Sequence, residues 1–348
     1  MARLSLTNIS KIYNGARVVD KLSLEIEPGE FVSLLGPSGC GKSTILRMIA
    51  GFEQVDEGQI HHGGNCLSST QIHVPTEERN FGMVFQSYAL WPHMTVEQNI
   101  AYPLKIKKIK GEQRTKKVIE ALEIVQLNDY AKRYPNQLSG GQRQRVALAR
   151  SLVCEPEIIL LDEPLANLDR HLRESMEITF REFHKRTGAT LIYVTHDQTE
   201  AMALSDRIAV IKAGKILQWS TPQDIYNKPN TTWIADFIGK GSITNANLTT
   251  LKKSLLNEEE IHGAINSHIG NPSHDYKLLI RPQHIAIHDS ASAYSLPAIA
   301  TECLYKGDKY EVFFELSSND RILAFSDHPI SKGTTKHIIL KSAWPLEI

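Results

Sequence analysis

The chain has 348 residues, with 39 basic side chains balanced by 39 acidic ones. A single hydrophobic core stops growing at roughly 250–300 residues, so two domains are expected. The charge balance lacks the basic excess of a nucleic-acid binder, and no nucleic-acid partner is expected. No apolar run reaches the roughly 18–20 residues that span a bilayer, and the opening Met1–Ser5 carries no apolar leader. The chain is therefore expected to stay in the cytoplasm. Its four cysteines (Cys40, Cys66, Cys154 and Cys303) are scattered without a CxxC pair, a pattern that suits a reducing compartment without disulfides or structural zinc.

Residues 3–35 alternate polar and apolar, with Leu4, Leu6, Leu22, Leu24 and Ile26 in phase. That period predicts strands separated by turns at Asn14-Gly15 and Pro28-Gly29, ending in a short apolar strand Phe31–Leu35. A glycine-rich loop follows, and a helix starts at Ser43. Between Val96 and Tyr134 the pattern becomes helical, with Val118, Leu122 and Val125 on one face. A helix is predicted after Gly141, a buried strand over Ile158–Leu161 and a charged amphipathic helix over 170–187. Buried strands follow over Leu191–Val194 and Ile208–Ile211. Strands alternating with helices predict a parallel sheet with helices on its faces. Beyond Gly239 the texture shifts. Gly239-Lys240-Gly241-Ser242 and the Asn/Thr-rich stretch after it read as a linker. Short β runs over 278–280, 285–287, 310–316, 322–325 and 337–340 then predict a small all-β, barrel-like domain.

Gly36-Pro37-Ser38-Gly39-Cys40-Gly41-Lys42-Ser43-Thr44 fits the phosphate-binding loop G-x-x-x-x-G-K-[ST], between an apolar strand and a helix as its chemistry requires. Glycines let backbone N–H groups wrap a phosphate, and the helix presents the positive end of its dipole to the same anion. Lys42 is expected to reach the β- and γ-phosphates and the Ser43 hydroxyl to ligate Mg²⁺. Cys40 sits at a helix N-terminus, where thiol pKa values fall; the alternative is a small loop residue with no chemistry.

Ile158–Leu161 ends in Asp162-Glu163. A buried parallel strand delivers its polar groups at its C-terminal end, where ligands bind in α/β sheets. Asp162 suits a role in organising Mg²⁺, and Glu163 a general base for the attacking water. An apolar strand ending in two acids is by itself equally a capping pair; the phosphate loop in the same chain favours the chemical reading.

Leu138-Ser139-Gly140-Gly141-Gln142 opens a helix and supplies a second N-terminus fit for an anion. With this run the chain resembles the ABC ATPases, whose signature is LSGGQ, over residues 1 to about 240. The resemblance implies ATP and Mg²⁺ as ligands. It makes Tyr13 the aromatic that stacks on adenine and Gln86 the glutamine that touches Mg²⁺ and water. Leu168-Asp169, after Pro164, matches the family's D-loop, and His196 the histidine that contacts the γ-phosphate. It also implies a head-to-tail homodimer in which the phosphate loop of one subunit and Ser139, Gly140, Gly141 and Gln142 of the other enclose each ATP. Ala166 and Trp91 stand where many relatives carry serine and phenylalanine or tyrosine.

Two further segments resemble importers. Gln86–Val96, with Trp91 as an exposed aromatic beside Pro92-His93, is similar to the segment that importer ATPases offer to the membrane subunit; an ordinary packed turn is the alternative. Ile280–Ile285 resembles the Arg-Pro-Glu-His run in C-terminal domains of the maltose, polyamine and ferric-ion importer ATPases. The basic run Lys105–Lys110 suits anionic lipid or, more simply, a solvated helix end. The expectation is thus an α/β fold: a P-loop ABC ATPase domain with a helical subdomain over 1–239 and a β-rich, OB- or TOBE-like domain over 240–348. The implied partners are membrane permease subunits and, through them, a periplasmic binding protein, with the chain held at the cytoplasmic face of the inner membrane. Ferric-ion import is the expected function. Phosphonate, polyamine, sugar or osmolyte import are the alternatives, together with a soluble ABC ATPase outside transport.

Overall fold

The structure, a computed structural model, describes residues 2–166, 168–247, 254–270 and 276–347. Two compact units divide between Pro222 and Gln223.

The first unit begins with antiparallel strands β1 (Leu4–Tyr13) and β2 (Ala16–Ile26), joined at Asn14-Gly15, where both residues have positive φ. Then come β3 (Phe31–Leu35), α1 (Lys42–Ala50), β4 (Glu57–His62), β5 (Asn65–Ser68), α2 (Thr76–Arg79) and β6 (Gly82–Val84). Helices α3 (Val96–Ile106), α4 (Gly111–Ile124) and α5 (Gly140–Leu152) form the expected helical part. They are followed by β7 (Ile158–Asp162), α6 (Arg170–Thr187), β8 (Thr190–Thr195), α7 (Gln198–Leu204), β9 (Arg207–Lys212) and β10 (Lys215–Ser220).

One sheet is antiparallel, in the order β2-β1-β4-β5. The other runs β10-β9-β3-β8-β7-β6, with all pairs from β9 to β6 parallel and β10 antiparallel at the edge. Every residue of β3 and of β8 is buried. Burial on both faces explains why these strands read as apolar runs rather than alternating ones. One face packs Val146, Leu148, Phe180 and Tyr193, and the other packs Ile45, Leu46, Ile49 and Leu34.

The second unit opens with α8 (Pro222–Asn227), most of which belongs to it, and α9 (Thr232–Phe237). It continues with β11 (Ser242–Ala246), α10 (Glu258–Gly270), β12 (Tyr276–Ile280), β13 (Ile285–His288), β14 (Leu296–Tyr305), β15 (Tyr310–Leu316), β16 (Arg321–Ser326), β17 (Thr335–Leu340) and β18 (Trp344–Glu347). Its sheets run β11-β12-β18 and β13-β17-β14-β15-β16, antiparallel throughout.

The structure differs from the sequence reading at three points. Ser242–Ala246 is a paired strand and not a linker; part of the Asn/Thr-rich stretch lies outside the described residues. The unit is not all-β, because α10 buries Ile261, Ala264 and Ile265 in its core. And the compact units divide before residue 239. The reason is Arg281, 3% exposed. It donates to the carbonyls of Tyr226, Ile238 and Lys240, and its guanidinium lies 4.1 Å from the centre of the Tyr226 ring. Ala235 also packs against Leu279 and Leu346. The Arg281-Pro282 run is therefore a structural clasp.

Arg281→Ala leaves these carbonyls without their donor and is expected to cost about 2–4 kcal/mol, because hydrogen bonds from a buried charge are the expensive ones to lose. Calorimetric unfolding of the full chain checks this: an unshifted transition would mean the clasp contributes nothing.

Candidate nucleotide site

Register brings the candidate residues together. Leu35 pairs with Thr195, Asp162 with Val194 and Val84 with Leu161, so β3, β8, β7 and β6 end at one edge of the sheet. The next residues of those strands are Gly36, His196, Glu163 and, two positions beyond β6, Gln86.

The loop Gly36–Gly41 carries the chain from β3 into α1. Gly41 has φ of +105°, and a Cβ there would lie 2.8 Å from the Val18 carbonyl oxygen, so a side chain meets both strain and collision. Pro37, Ser38 and Gly39 are exposed at the loop tip, and Thr44 is half-buried in the first turn of α1. No side chain caps α1, and its first turn has no acid, so its N–H groups remain available to an anion. Lys42 is 4% exposed, and its Nζ donates to the carbonyls of Gly36 at 2.8 Å and Pro37 at 3.0 Å. The lysine thus braces its own loop. At Cys40 burial pushes the thiol up, and the Lys42 charge pulls back less. It is not an activated thiol.

Ser43 Oγ donates to Asp162 Oδ1 at 3.0 Å. Burial pushes the Asp162 carboxyl above the usual aspartate range, the Ser43 bond opposes the rise and the Glu163 charge adds to it. A hydroxyl beside one half-buried carboxylate fits Mg²⁺, which takes hard oxygen donors and completes its shell with water and phosphate. Among the described residues no group of three or more His, Cys, Asp or Glu side chains could hold a metal by itself. Glu163 has φ of +43°, its N–H donates to the Val194 carbonyl at 3.1 Å, and its Oε1 lies 3.4 Å from His196 Nδ1. The histidine side chain is 53% exposed, so this pair faces the open end of the sheet. Gln86 is exposed.

Ser139, Gly140, Gly141, Gln142 and Asp169 form a second cluster. Ser139 and Gln142 make a reciprocal capping box at the start of α5. A Cβ on Gly141 would lie 2.6 Å from Leu172 Cδ1, so glycine lets α5 approach α6 closely. Asp169 caps α6 by accepting from the Leu172 N–H at 3.0 Å. The contacts of these residues are with Leu168, Leu172 and their own turns, not with Lys42 or Asp162. Tyr13 also stands apart: its ring lies 5.5 Å from Lys11 Nζ, and burial with the nearby Glu53 charge pushes its hydroxyl pKa up.

Sequence reasoning missed a buried network behind His196. Tyr193 Oη and Thr195 Oγ1 both donate to Glu200 Oε2 at 2.7 Å. Arg173 reaches Asp197 at 3.1 Å and the Leu168 carbonyl at 3.2 Å. Burial raises Glu200, and the two hydroxyls restrain the rise. In sequence, Asp197 and Glu200 read as an ordinary capping pair. Asp197 does cap α7, while the Glu200 carboxylate turns inward.

A six-stranded, mostly parallel sheet with a glycine-rich loop over a buried lysine defines an ATP-binding P-loop domain. A family model described as "ABC transporter" matches residues 19–166, and one described as "TOBE domain" matches residues 278–336. The spermidine/putrescine import ATP-binding protein PotA of Nitrosomonas eutropha is 43% identical, covering 93% of this chain and 90% of that protein. The Fe(3+) ions import ATP-binding protein FbpC of Vibrio cholerae is 40% identical, covering 95% of this chain and 93% of that protein. A solved dimeric, post-hydrolysis ATP-binding cassette with ADP and Pi matches at a TM-score of 0.56 and 33% identity, over 63% of this chain and 98% of that one. The chain belongs to the ATP-binding subunits of ABC transporters, with a C-terminal TOBE domain. Its activity is the ABC-type ATPase reaction coupled to transport. No helix among the described residues is long and apolar enough to cross a membrane.

Asp162 supplies a sign-defined prediction. Its folded carboxyl holds a proton more tightly than its unfolded one, so stability falls as pH rises from the unfolded value through the raised folded one. Asp162→Asn is therefore expected to stabilise the nucleotide-free chain at neutral pH, with the gain vanishing below about pH 4, the ordinary aspartate range. Thermal unfolding at both pH values checks it, and a gain equal at both would rule out the carboxylate as its source.

Proposed function

We propose that the chain is the importer ATPase of a bacterial ABC transporter, working as a head-to-tail homodimer on the cytoplasmic side of the inner membrane. The observation that carries this reading is the division of candidate residues into two clusters within one chain. The first holds the phosphate loop, Asp162, Glu163 and His196. The second is an anion-ready helix start at Ser139–Gln142 that does not touch the first. Two facing copies would join the first cluster of one to the second of the other, and the dimeric cassette relative supports that arrangement.

In this reading Tyr13 stacks on adenine, and residues Gly36–Thr44 hold the phosphates, with Lys42 exchanging the Gly36 and Pro37 carbonyls for phosphate oxygens. Ser43, Asp162 and Gln86 would hold Mg²⁺, which supplies charge neutralisation at the phosphates. Glu163 polarises the attacking water, and His196, beside it, contacts the γ-phosphate. Asp169 and Ser139–Gln142 face the partner's nucleotide. These positive contacts at the phosphates act where charge develops as the γ-phosphoryl group leaves.

The partners are membrane permease subunits, reached through Ser87–Val96, and a periplasmic binding protein that contacts only the permease. Trp91 is half-buried and not the exposed aromatic of the sequence reading: its ring lies 4.3 Å from that of Tyr102. Both line a groove with Phe85, Ala89, Pro103 and Ile106. An apolar groove of that kind suits an amphipathic cytoplasmic helix. The cargo in this reading is ferric ion, supported by the Vibrio cholerae relative. Spermidine or putrescine is the second reading, supported by the Nitrosomonas eutropha relative. Measuring which loaded binding protein stimulates ATPase in the reconstituted transporter decides between them.

Glu163→Gln keeps size and hydrogen bonding but removes the base. Hydrolysis is expected to fall by about 10²–10⁴, the usual loss for a general base, while ATP still binds and closed dimers accumulate. Near-normal turnover in the purified transporter would refute the role. Trp91→Ala is expected to weaken assembly with the permease by about 2 kcal/mol, as for a buried aromatic hot spot, and to abolish substrate-stimulated hydrolysis while ATP binding persists. Intact assembly and stimulation would make the segment a packed turn.

A further inference from the structure

Arg150 lies near the C-terminal end of α5, the helix whose N-terminus carries Ser139 and Gln142. It is 8% exposed, and no carboxylate pairs with it among the described residues. Its two terminal nitrogens donate to backbone carbonyls, Nη1 to Ala89 at 2.6 Å and Nη2 to Tyr88 at 2.8 Å. Its guanidinium carbon also lies 4.9 Å from the centre of the Trp91 ring. A buried cation with only dipoles and a π-face for company is costly to place, and burial pulls its pKa down.

The residues it grips are strained. Tyr88 has φ of +61° and Ala89 of +45°, a region L-residues avoid and occupy only where the surroundings over-determine them. The far end of the same segment is held by Asn99 of α3, which is fully buried. Its Oδ1 accepts from the Trp91 N–H, and its Nδ2 donates to the carbonyls of Trp91, Met94 and Thr95. The segment is thus pinned at its start by α5 and at its end by α3.

We propose that Arg150 is the positioning residue that ties the Ser139–Gln142 helix to the permease-facing segment. Its grip on the Tyr88 and Ala89 carbonyls delivers movement of the α5 N-terminus to Trp91. This rests on the docking reading above. The helix between the two ends has 13 residues, about 20 Å at 1.5 Å per residue. Its Val146, Ala147, Leu148 and Ala149 are fully buried, which packs the helix firmly along its middle. The guanidinium fork is required because two carbonyls and one ring must be served by a single planar group, which a lysine ammonium cannot do.

The test is Arg150→Lys, in the full-length chain and in the reconstituted transporter. Amide hydrogen exchange over residues 87–94 is expected to quicken by about tenfold, from loss of charge-assisted bonds at a strained turn. The ratio of substrate-stimulated to unstimulated ATPase is expected to collapse toward one. Adding Ala89→Gly, which removes the steric cost of the left-handed backbone, is expected to restore part of both. Unchanged exchange or a preserved ratio overturns the inference. So does a double variant no better than the single one, since a residue that only fills the core gains nothing from a loop glycine. If Arg150→Lys does not fold, the double variant decides: recovery of fold and protection supports the tie, and continued failure overturns it. If Trp91→Ala keeps assembly and stimulation, the docking reading falls and the delivery to the permease falls with it, whereas unchanged exchange in Arg150→Lys overturns the grip on Tyr88 and Ala89 whatever the docking result.

Discussion

Parallel pairing of β3, β8, β7 and β6 is the constraint on which the site rests. It places Gly36, Gln86, Asp162-Glu163 and His196 at adjacent strand ends, although the chain separates them widely. No side-chain contact creates this arrangement. Burial of both sheet faces fixes the register, because slipping one strand would expose its apolar residues and move its polar end out of line. The Ser43–Asp162 and Glu163–His196 contacts then form between residues already held close. Glu163, at positive φ, is the point where the backbone leaves the sheet to present its carboxylate.

The two helix starts are treated differently, and the difference is chemical. The first turn of α1 has no side-chain cap and lies beside a lysine that braces the loop. At α5, the side chains of Ser139 and Gln142 each accept from the other's backbone N–H. Both lack acids in the first turn, so neither repels an anion. One helix start is thus built around its own lysine, and the other is closed by its own capping side chains.

Local motifs made much of this legible. The phosphate loop, the Asp162-Glu163 strand end and the Leu138–Gln142 helix start are runs of neighbouring residues whose chemistry is written in order. The alternating and buried strands likewise declared the sheet. What escaped were interactions whose partners are backbone atoms far along the chain. Arg150 reads as one basic residue on an amphipathic helix, and Arg281 as part of a motif, because a carbonyl leaves no trace in residue identity. Glu200 was hidden by its resemblance to a capping acid. Helix α10 was masked by polar residues flanking a narrow apolar stripe at Ile261, Ala264 and Ile265. Cys40 shows two rules in conflict: the helix end favours a thiolate, but burial disfavours charge more strongly.

The central position of β3 has a consequence for how the chain is made. Its sheet neighbours are β8 and β9, near residues 190–212, while β3 itself lies at residues 31–35. During synthesis the phosphate loop leaves the ribosome long before the strands that flank it exist. Until then β3 exposes two unpaired apolar edges, the condition that invites aggregation in slow, non-local folds. The antiparallel strands β1, β2 and β4 pair through near neighbours in sequence and can form first, giving the nascent chain a local platform while its catalytic strand waits.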